Sequence, residues 1–117
     1  MEFFESRVFT GLLPQYLEDE EYRQLQHLLM DNPEGGAVMP GTGGFRKIRF
    51  SHQRRGKGKR GGLRVIYYFF PDSQQIWFVT LYSKDEVADL NAAEKKAMRE
   101  LIGHELEARQ RRKYGKA

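Results

Sequence analysis

The sequence contains no cysteine, which excludes disulfide bonds, cysteine-ligated zinc and thiol catalysis. It also has no apolar run approaching the ~20 residues that a membrane-spanning helix needs. The opening residues, MEFFESRVFTGLLPQYL, carry acids early and have neither a basic start nor a long apolar stretch, so they do not predict a signal peptide. These absences predict a protein of the reducing cytoplasm that does not associate with membranes.

Acidic residues are missing from one window of the chain, residues 45–64, which holds nine cations. Residues 1–44, in contrast, carry eight acids against two cations, and the net charge of the whole chain is only +4. Within the window, the segment RRGKGKRGG sets five cations among four glycines. Such a segment can serve simply as a solvated loop that resists aggregation. Its charge density favours a polyanionic partner instead, most often a nucleic acid.

The length of 117 residues favours one domain spanning residues 1–117. The spacing of apolar residues predicts a short strand and two helices before residue 33, and the second helix opens with acids that suit a helix N-terminus. Three strands follow, FRKIRF, LRVIYYFF and QQIWFVTLY. Apart from the glycine-rich basic loop, their connections are too short for a crossover helix, so we expect antiparallel neighbours. The sequence therefore predicts an α+β fold with a twisted antiparallel sheet.

The last predicted helix begins at a capping sequence formed by Asn91 and Glu94. We expect the basic tail, from about residue 109 onward, to be frayed. The apolar stripe predicted for this helix consists of Met98, Leu101, Ile102 and Leu106.

Residues alternate along the strand FRKIRF, so Lys47 and Arg49 share one face of the sheet. Arg64 opens the next strand. Glycines 56, 58 and 61, between these strands, match the pattern G-x-G-x-x-G. That dinucleotide-binding fingerprint needs a strand before the glycines and a helix after them, and here a strand follows. The glycines therefore predict a basic hairpin loop and not a nucleotide-binding turn.

The absence of carboxylates from the basic window disfavours acid-pair or two-metal hydrolysis there. RNA offers a metal-free route, because its 2′-hydroxyl can attack its own phosphodiester once a base removes the proton. A lysine amino group crowded by other cations has a lowered pKa and can act as that base, whereas arginine stays charged and grips phosphate oxygens. The alternative is that Lys47, Arg49 and Arg64 only position an RNA or DNA backbone, without turnover.

Three segments in succession, GTGGFRKIRF, RGKGKRGGLRVIYYF and VTLYSKDEVADLNAAE, resemble the toxins of the RelE/ParE superfamily and are most similar to its HigB-type branch. The resemblance implies a compact α+β fold with N-terminal helices and a C-terminal helix against an antiparallel sheet. It also implies a ribosome-dependent endoribonuclease that cuts mRNA in the decoding site and leaves a cyclic phosphate, with no metal and no other cofactor. A cognate antitoxin with a helix-turn-helix DNA-binding fold, similar to HigA, is the implied partner beside the ribosome and its mRNA.

The matching strand positions imply Lys47, Arg49, Arg64 and Lys84 as catalytic residues. The general acid stays open between Lys84, Tyr82, Lys59 and His52, since the arginine that RelE-like toxins place after the last strand appears here as Asp85. Gyrase-inhibiting members of the superfamily lack the dense basic cluster, so the cluster favours RNA cleavage over gyrase inhibition. The cations that we expect to contact mRNA or ribosomal RNA are Arg46, Arg54, Arg55, Lys57, Lys59 and Arg60.

Overall fold

The computed structural model describes residues 1–51, 62–84 and 90–114. These residues form three helices and one sheet of five strands in the order β1-β5-β4-β3-β2. The elements along the chain are β1 (Glu2–Glu5), α1 (Arg7–Tyr16), α2 (Asp19–Asp31), β2 (Ala37–Val38), β3 (Arg46–Phe50), β4 (Leu63–Phe70), β5 (Gln75–Ser83) and α3 (Ala92–Tyr114). The predicted α+β fold class is confirmed.

The strands β3, β4 and β5 are antiparallel neighbours, as predicted. The edge strand β1, however, pairs with β5 in the parallel direction, so the sheet is mixed and not antiparallel throughout. A parallel pair needs a long crossover between its strands, and here the whole chain from α1 to β4 provides it. At the other edge, the two-residue strand β2 pairs with β3 in the antiparallel direction.

One face of the sheet packs against α1 and α2, and we call it the α1/α2 face. Phe78 on β5 is fully buried there, with its ring stacked on that of Phe9 from α1 at a centroid distance of 4.8 Å. Side chains on alternate positions of β4 and β5 complete this core because successive residues of a strand point to opposite faces. Its buried members are Phe9, Leu17, Leu25, Leu29, Phe50, Leu63, Val65, Tyr67, Ile76, Phe78 and Leu81.

Polar side chains fasten the two N-terminal helices to the sheet. Ser6 caps α1 by accepting a hydrogen bond from the Phe9 amide at 3.0 Å, and its hydroxyl donates to the Val79 carbonyl on β5 at 2.6 Å. The Glu5 carboxylate at the end of β1 accepts hydrogen bonds from the Tyr22 hydroxyl on α2, at 2.6 Å, and from a threonine hydroxyl on α1. Caps of this kind satisfy helix-end amides that have no partner within the helix.

The opposite face of the sheet is covered at one end by α3. Ile102 of α3 is buried against this face and Met98 packs beside it, but Leu101 and Leu106 are 46% and 42% exposed. The predicted apolar stripe of this helix is therefore wrong for two of its four residues. The buried members of this second cluster are Met39, Phe45, Ile66, Phe70 and Ile102.

The start of α3 has the predicted capping box. The Asn91 amide donates to the Glu94 carboxylate at 2.9 Å, and the Glu94 amide donates to the Asn91 side-chain oxygen at 2.8 Å. No helix within the described ranges is both long enough and apolar enough to cross a membrane.

The basic tail differs from the sequence prediction, because α3 continues to residue 114 instead of fraying near residue 109. Arg109 explains the difference. Its guanidinium carbon lies 3.6 Å from the centre of the Phe70 ring, and it donates hydrogen bonds to Gln75 on β5 at 2.7 Å and to Glu105 at 2.8 Å. These contacts hold the C-terminal half of α3 on the sheet.

Candidate active site

The other end of the second face carries Lys47, Arg49 and Arg64, and we call it the basic face. The strand register places Arg49 on β3 directly opposite Arg64 on β4, and Arg64 directly opposite Tyr82 on β5. Side chains directly opposite each other in an antiparallel pair point to the same face of the sheet. The three residues therefore form one row across the three central strands, with Arg64 in the middle.

Lys47 extends this row along β3. It is paired with Ile66, two positions from the pair of Arg49 and Arg64, and therefore lies on the same face. Ile48 and Phe50, in contrast, belong to the core of the α1/α2 face. The alternation predicted for β3 is confirmed, and it gives the basic face two cations from one short strand.

The residues of the row differ in their exposure. Arg64 is only 9% exposed, whereas Arg49 is exposed and Lys47 and Tyr82 are half-buried. Two like charges directly opposite each other on neighbouring strands are unfavourable by themselves. A bound phosphate would offset that repulsion, since each guanidinium can donate paired hydrogen bonds to phosphate oxygens.

Lys84 lies just beyond the end of β5, beside the start of β4. Its amide donates to the Gly62 carbonyl at 3.4 Å, and its side chain is exposed. Gly62 has φ +62°, and a Cβ atom there would lie 2.8 Å from the Ser51 hydroxyl oxygen. A glycine is therefore required where the chain enters β4, two residues before Arg64.

Arg46, a predicted RNA-contacting cation, does not lie on the basic face. It is opposite Tyr67 in the register and so lies on the α1/α2 face, where its Nη1 donates to the Gly36 carbonyl at 2.8 Å and to the Glu34 carbonyl at 3.1 Å. Its Nη2 is 3.6 Å from the Glu34 carboxylate. These contacts give Arg46 a structural role in holding the segment before β2, and we leave it out of the site.

The remaining predicted RNA-contacting cations and two candidate general acids, His52 and Lys59, lie outside the described residues. They are His52, Arg54, Arg55, Lys57, Lys59 and Arg60.

The loop between β2 and β3 fixes the position of the start of β3, a role that the sequence did not predict. The Thr42 hydroxyl is buried, donates to the Met39 carbonyl at 2.7 Å and accepts from the Phe45 amide at 3.2 Å. Gly43 has φ +82°, and a Cβ atom there would lie 2.9 Å from Ile102 on α3. The segment GTGG thus fixes the start of β3, and with it Lys47, against the last helix.

Two basic residues of α3, Lys95 and Arg99, also lie against this loop. Arg99 donates to the Gly41 carbonyl at 2.6 Å, and the Lys95 Cδ lies 3.5 Å from the position that a Cβ atom of Gly41 would take. Sequence reasoning missed both residues. No local pattern could have found them, because more than 50 residues separate them in sequence from the loop that they contact.

Among the residues that the structure describes, no three of His, Asp and Glu lie close enough together to hold a metal ion. The polar groups available on the basic face are instead two guanidinium groups, two amino groups and one phenol. Such a set can bind a phosphodiester, neutralise added negative charge and exchange protons with it. The site is thus suited to the chemistry of a polyanion.

The fold and the site together define an α+β protein whose central strands carry a cationic face suited to polyanions. A family model described as the RelE toxin of the RelE / RelB toxin-antitoxin system matches residues 20–113. The chain belongs to this family of toxins, which implies a cognate antitoxin as its partner. The matched range includes every residue of the row, all of α2 except its first residue, and the whole of β3, β4 and β5.

Proposed function

We propose that this toxin is a ribosome-dependent endoribonuclease of the HigB-type branch, which enters the decoding site and cuts mRNA there. The observation that carries the proposal is the row of Arg49, Arg64 and Tyr82 across the sheet, with Lys47 on the same face, in a chain of the RelE toxin family. A basic surface also steers a protein toward ribosomal RNA, because the attraction acts over about 10 Å at moderate salt.

The reaction begins when a base removes the proton of a ribose 2′-hydroxyl. The 2′-oxygen then attacks the adjacent phosphorus, the bond from phosphorus to the 5′-oxygen breaks, and an acid gives a proton to the departing 5′-oxygen. The products are a 2′,3′-cyclic phosphate and a 5′-hydroxyl end. Negative charge grows on the phosphoryl oxygens during the attack, and preorganised cations stabilise it most where water is displaced.

The order of the strands supports an assignment of these roles. In-line displacement requires the attacking and departing oxygens to lie on opposite sides of the phosphorus. Arg64 on the central strand β4 has Lys47 and Arg49 of β3 on one side, and on the other side Tyr82 of β5 and Lys84 just beyond the end of that strand. We assign phosphate binding to Arg64 and Arg49, proton removal to Lys47, and proton donation to Tyr82 or Lys84.

The partners follow from the same proposal. We assign the cations Arg54, Arg55, Lys57, Lys59 and Arg60 to contacts with mRNA or ribosomal RNA. The antitoxin is proposed to be a HigA-like helix-turn-helix protein, on the basis of the sequence resemblance to HigB toxins. Co-expression of the chain with the adjacent open reading frame, followed by size-exclusion chromatography, tests this assignment.

The test of the proposed function uses purified protein and ribosomes programmed with a defined mRNA, and it maps the 5′ ends of the message by primer extension. The variant is Arg49→Ala, because this exposed position tolerates truncation without loss of the fold. The matched control is Arg23→Ala, since Arg23 is exposed on α2 and pairs with Glu20 of the same helix at 2.6 Å. We expect Arg49→Ala to lower the cleavage rate by about 10²–10³-fold and Arg23→Ala to leave it near the wild-type value.

Other outcomes would replace the proposal. An intact message on a stalled ribosome would indicate a binding module without turnover. A DNA-damage response in cells without loss of mRNA would indicate a gyrase inhibitor. Equal cleavage by Arg49→Ala and Arg23→Ala would indicate that the basic face takes no part in cleavage.

A further inference from the structure

A shallow groove of about 220 Å³ lies beside the basic face, between the edge strand β2 and the first turn of α3. Its apolar floor and its two cations come from three parts of the chain, which are residues 37–40, β3 and α3. The lining residues are Ala37, Val38, Met39, Pro40, Lys47 and Lys95.

The groove is continuous with the candidate active site because Lys47 belongs to both. Ala37 on β2 is directly opposite Lys47 on β3, so its side chain points to the same face of the sheet. Lys47 therefore stands between the groove and the row that contains Arg64.

The methylene groups of the Lys95 side chain hold it in place. The side chain packs against Gly41, and Arg99, one turn further along α3, donates to the Gly41 carbonyl at 2.6 Å. A lysine whose methylene groups are packed loses less side-chain freedom when its amino group binds an anion. Lys95 is thus better prepared to bind phosphate than a lysine that extends freely into water.

The chemistry of the groove fits single-stranded nucleic acid. Proteins bind single strands by combining cations that follow the backbone with apolar or aromatic surfaces that contact the bases. Here Ala37, Met39 and Pro40 offer such a surface, and the two lysines line the same groove. An acidic peptide would use the lysines but would gain little from the apolar floor.

We propose that this groove binds the nucleotide next to the scissile phosphate, with a backbone phosphate between Lys47 and Lys95 and its base on the apolar floor. The inference rests on the proposed function and extends it, because it adds a residue of α3 to the substrate path. Lys95 acts as a binding residue and takes no part in proton transfer.

The experiment measures the binding of a short single-stranded RNA that carries 2′-O-methyl groups and so cannot be cleaved by the 2′-oxygen route. Fluorescence anisotropy gives the Kd over a range of salt concentrations for wild type, Lys95→Met, Lys95→Arg and the control Lys96→Met. Methionine keeps the packed stem of Lys95 and removes its charge. Lys96 is the adjacent exposed lysine of the same helix and is not among the residues that line the groove.

We expect Lys95→Met to raise the Kd roughly fivefold to tenfold and to lower the slope of log Kd against log salt by about 0.7, the value for one phosphate contact on a single strand. Lys95→Arg should bind nearly as well as wild type, and Lys96→Met should change the Kd less than twofold. Equal effects of Lys95→Met and Lys96→Met, or an absence of saturable binding by the wild type, would overturn the proposal. Tighter binding of a polyglutamate peptide than of RNA, with the same dependence on Lys95, would overturn RNA as the occupant.

This result is separable from the test of the proposed function. If wild type cuts ribosome-bound mRNA while Lys95→Met and Lys96→Met behave alike, the groove proposal fails and the nuclease remains. If wild type cuts nothing while Lys95→Met still weakens RNA binding, the nuclease proposal fails and the groove remains a site for RNA.

Discussion

On the α1/α2 face of the sheet, aromatic and aliphatic side chains from the helices and strands form a closed core, whereas among the described residues α3 covers only one end of the other face. The strand β4 contributes to both. Leu63, Val65 and Tyr67 point into the closed core, and Arg64 points to the basic face. One strand can thus contribute stability on one side and reactive groups on the other, because its side chains alternate.

The two ends of the second face also differ from each other. At the end of β4 near Phe70, the sheet is sealed by Arg109 and the C-terminal half of α3. At the end near Arg64, the segment GTGG, which precedes β3, contacts residues in the N-terminal half of α3. Substitutions should therefore separate into those that lower the free energy of unfolding and those that lower the rate of cleavage.

The largest effect is expected for Phe78→Ala in the closed core. Phe78 is fully buried and stacks on Phe9 and Phe3, so its truncation should lower the free energy of unfolding by roughly 3–5 kcal/mol. The control Phe4→Ala removes a ring that is 44% exposed and should cost much less. Urea denaturation followed by circular dichroism measures both, and similar losses would contradict the contrast between the two faces.

The next largest effect is expected on the rate of cleavage, for Arg64→Lys. Arg64→Lys keeps the charge but loses the paired donors of the guanidinium, so cleavage should fall by about 10²-fold. The same exchange at Arg46 lies on the other face, where the guanidinium contacts the Gly36 and Glu34 carbonyls. Arg46→Lys should therefore lower the unfolding free energy and leave cleavage near wild type. A large loss of cleavage in Arg46→Lys would indicate that Arg46 contacts the RNA substrate after all.

A smaller effect is expected for Tyr67→Phe on the α1/α2 face. The Tyr67 hydroxyl donates to the Pro33 carbonyl at 2.8 Å and accepts from the Gly36 amide at 2.9 Å. Removal of the hydroxyl leaves these backbone groups without that partner and should cost about 1–3 kcal/mol at neutral pH.

Tyr67 also makes the stability depend on alkaline pH. Burial raises the pKa of Tyr67 above its ordinary value, and burial together with the hydrogen bond to Glu5 raises the pKa of Tyr22. The unfolded chain therefore ionises first, at about pH 10, so this stability is complete below that pH and is lost as the pH rises through the folded pKa. Tyr67→Phe should show a shallower loss of unfolding free energy above about pH 10 than wild type. An unchanged alkaline slope would contradict this role of Tyr67.

The smallest effect is expected for Arg109→Ala. Loss of the contact with Phe70 and of the hydrogen bond to Gln75 should lower the unfolding free energy by about 1–2 kcal/mol. The exposed Arg111 on the same helix provides the control Arg111→Ala, which should be nearly neutral. Thermal denaturation compares the two, and equal midpoints would show that Arg109 does not hold α3 on the sheet.

The sequence predicted those structural features that depend on residues close together in the chain. The alternation of β3 predicted the shared face of Lys47 and Arg49, and the spacing of Asn91 and Glu94 predicted the start of α3, because both depend on neighbours within a few residues. The α+β class followed from the order of these elements.

Long-range contacts explain what the sequence did not predict. Arg46 was grouped with the RNA-contacting cations because it lies in the basic window, yet the register turns it to the other face. The parallel pairing of β1, the exposure of Leu101 and Leu106, and the hold of Arg109 on Phe70 all depend on partners far away in the chain. Charge density therefore located the basic region, and the sheet was needed to decide which cations share a site.

The most direct test of the central claim is to place one 2′-deoxynucleotide at the mapped cleavage position of an mRNA on the ribosome. A second message carries the same substitution one nucleotide away. If the basic face promotes attack by the 2′-oxygen, the first message should stay intact at that position and the second should be cut as before. Cleavage of the first message at an unchanged rate would contradict the account.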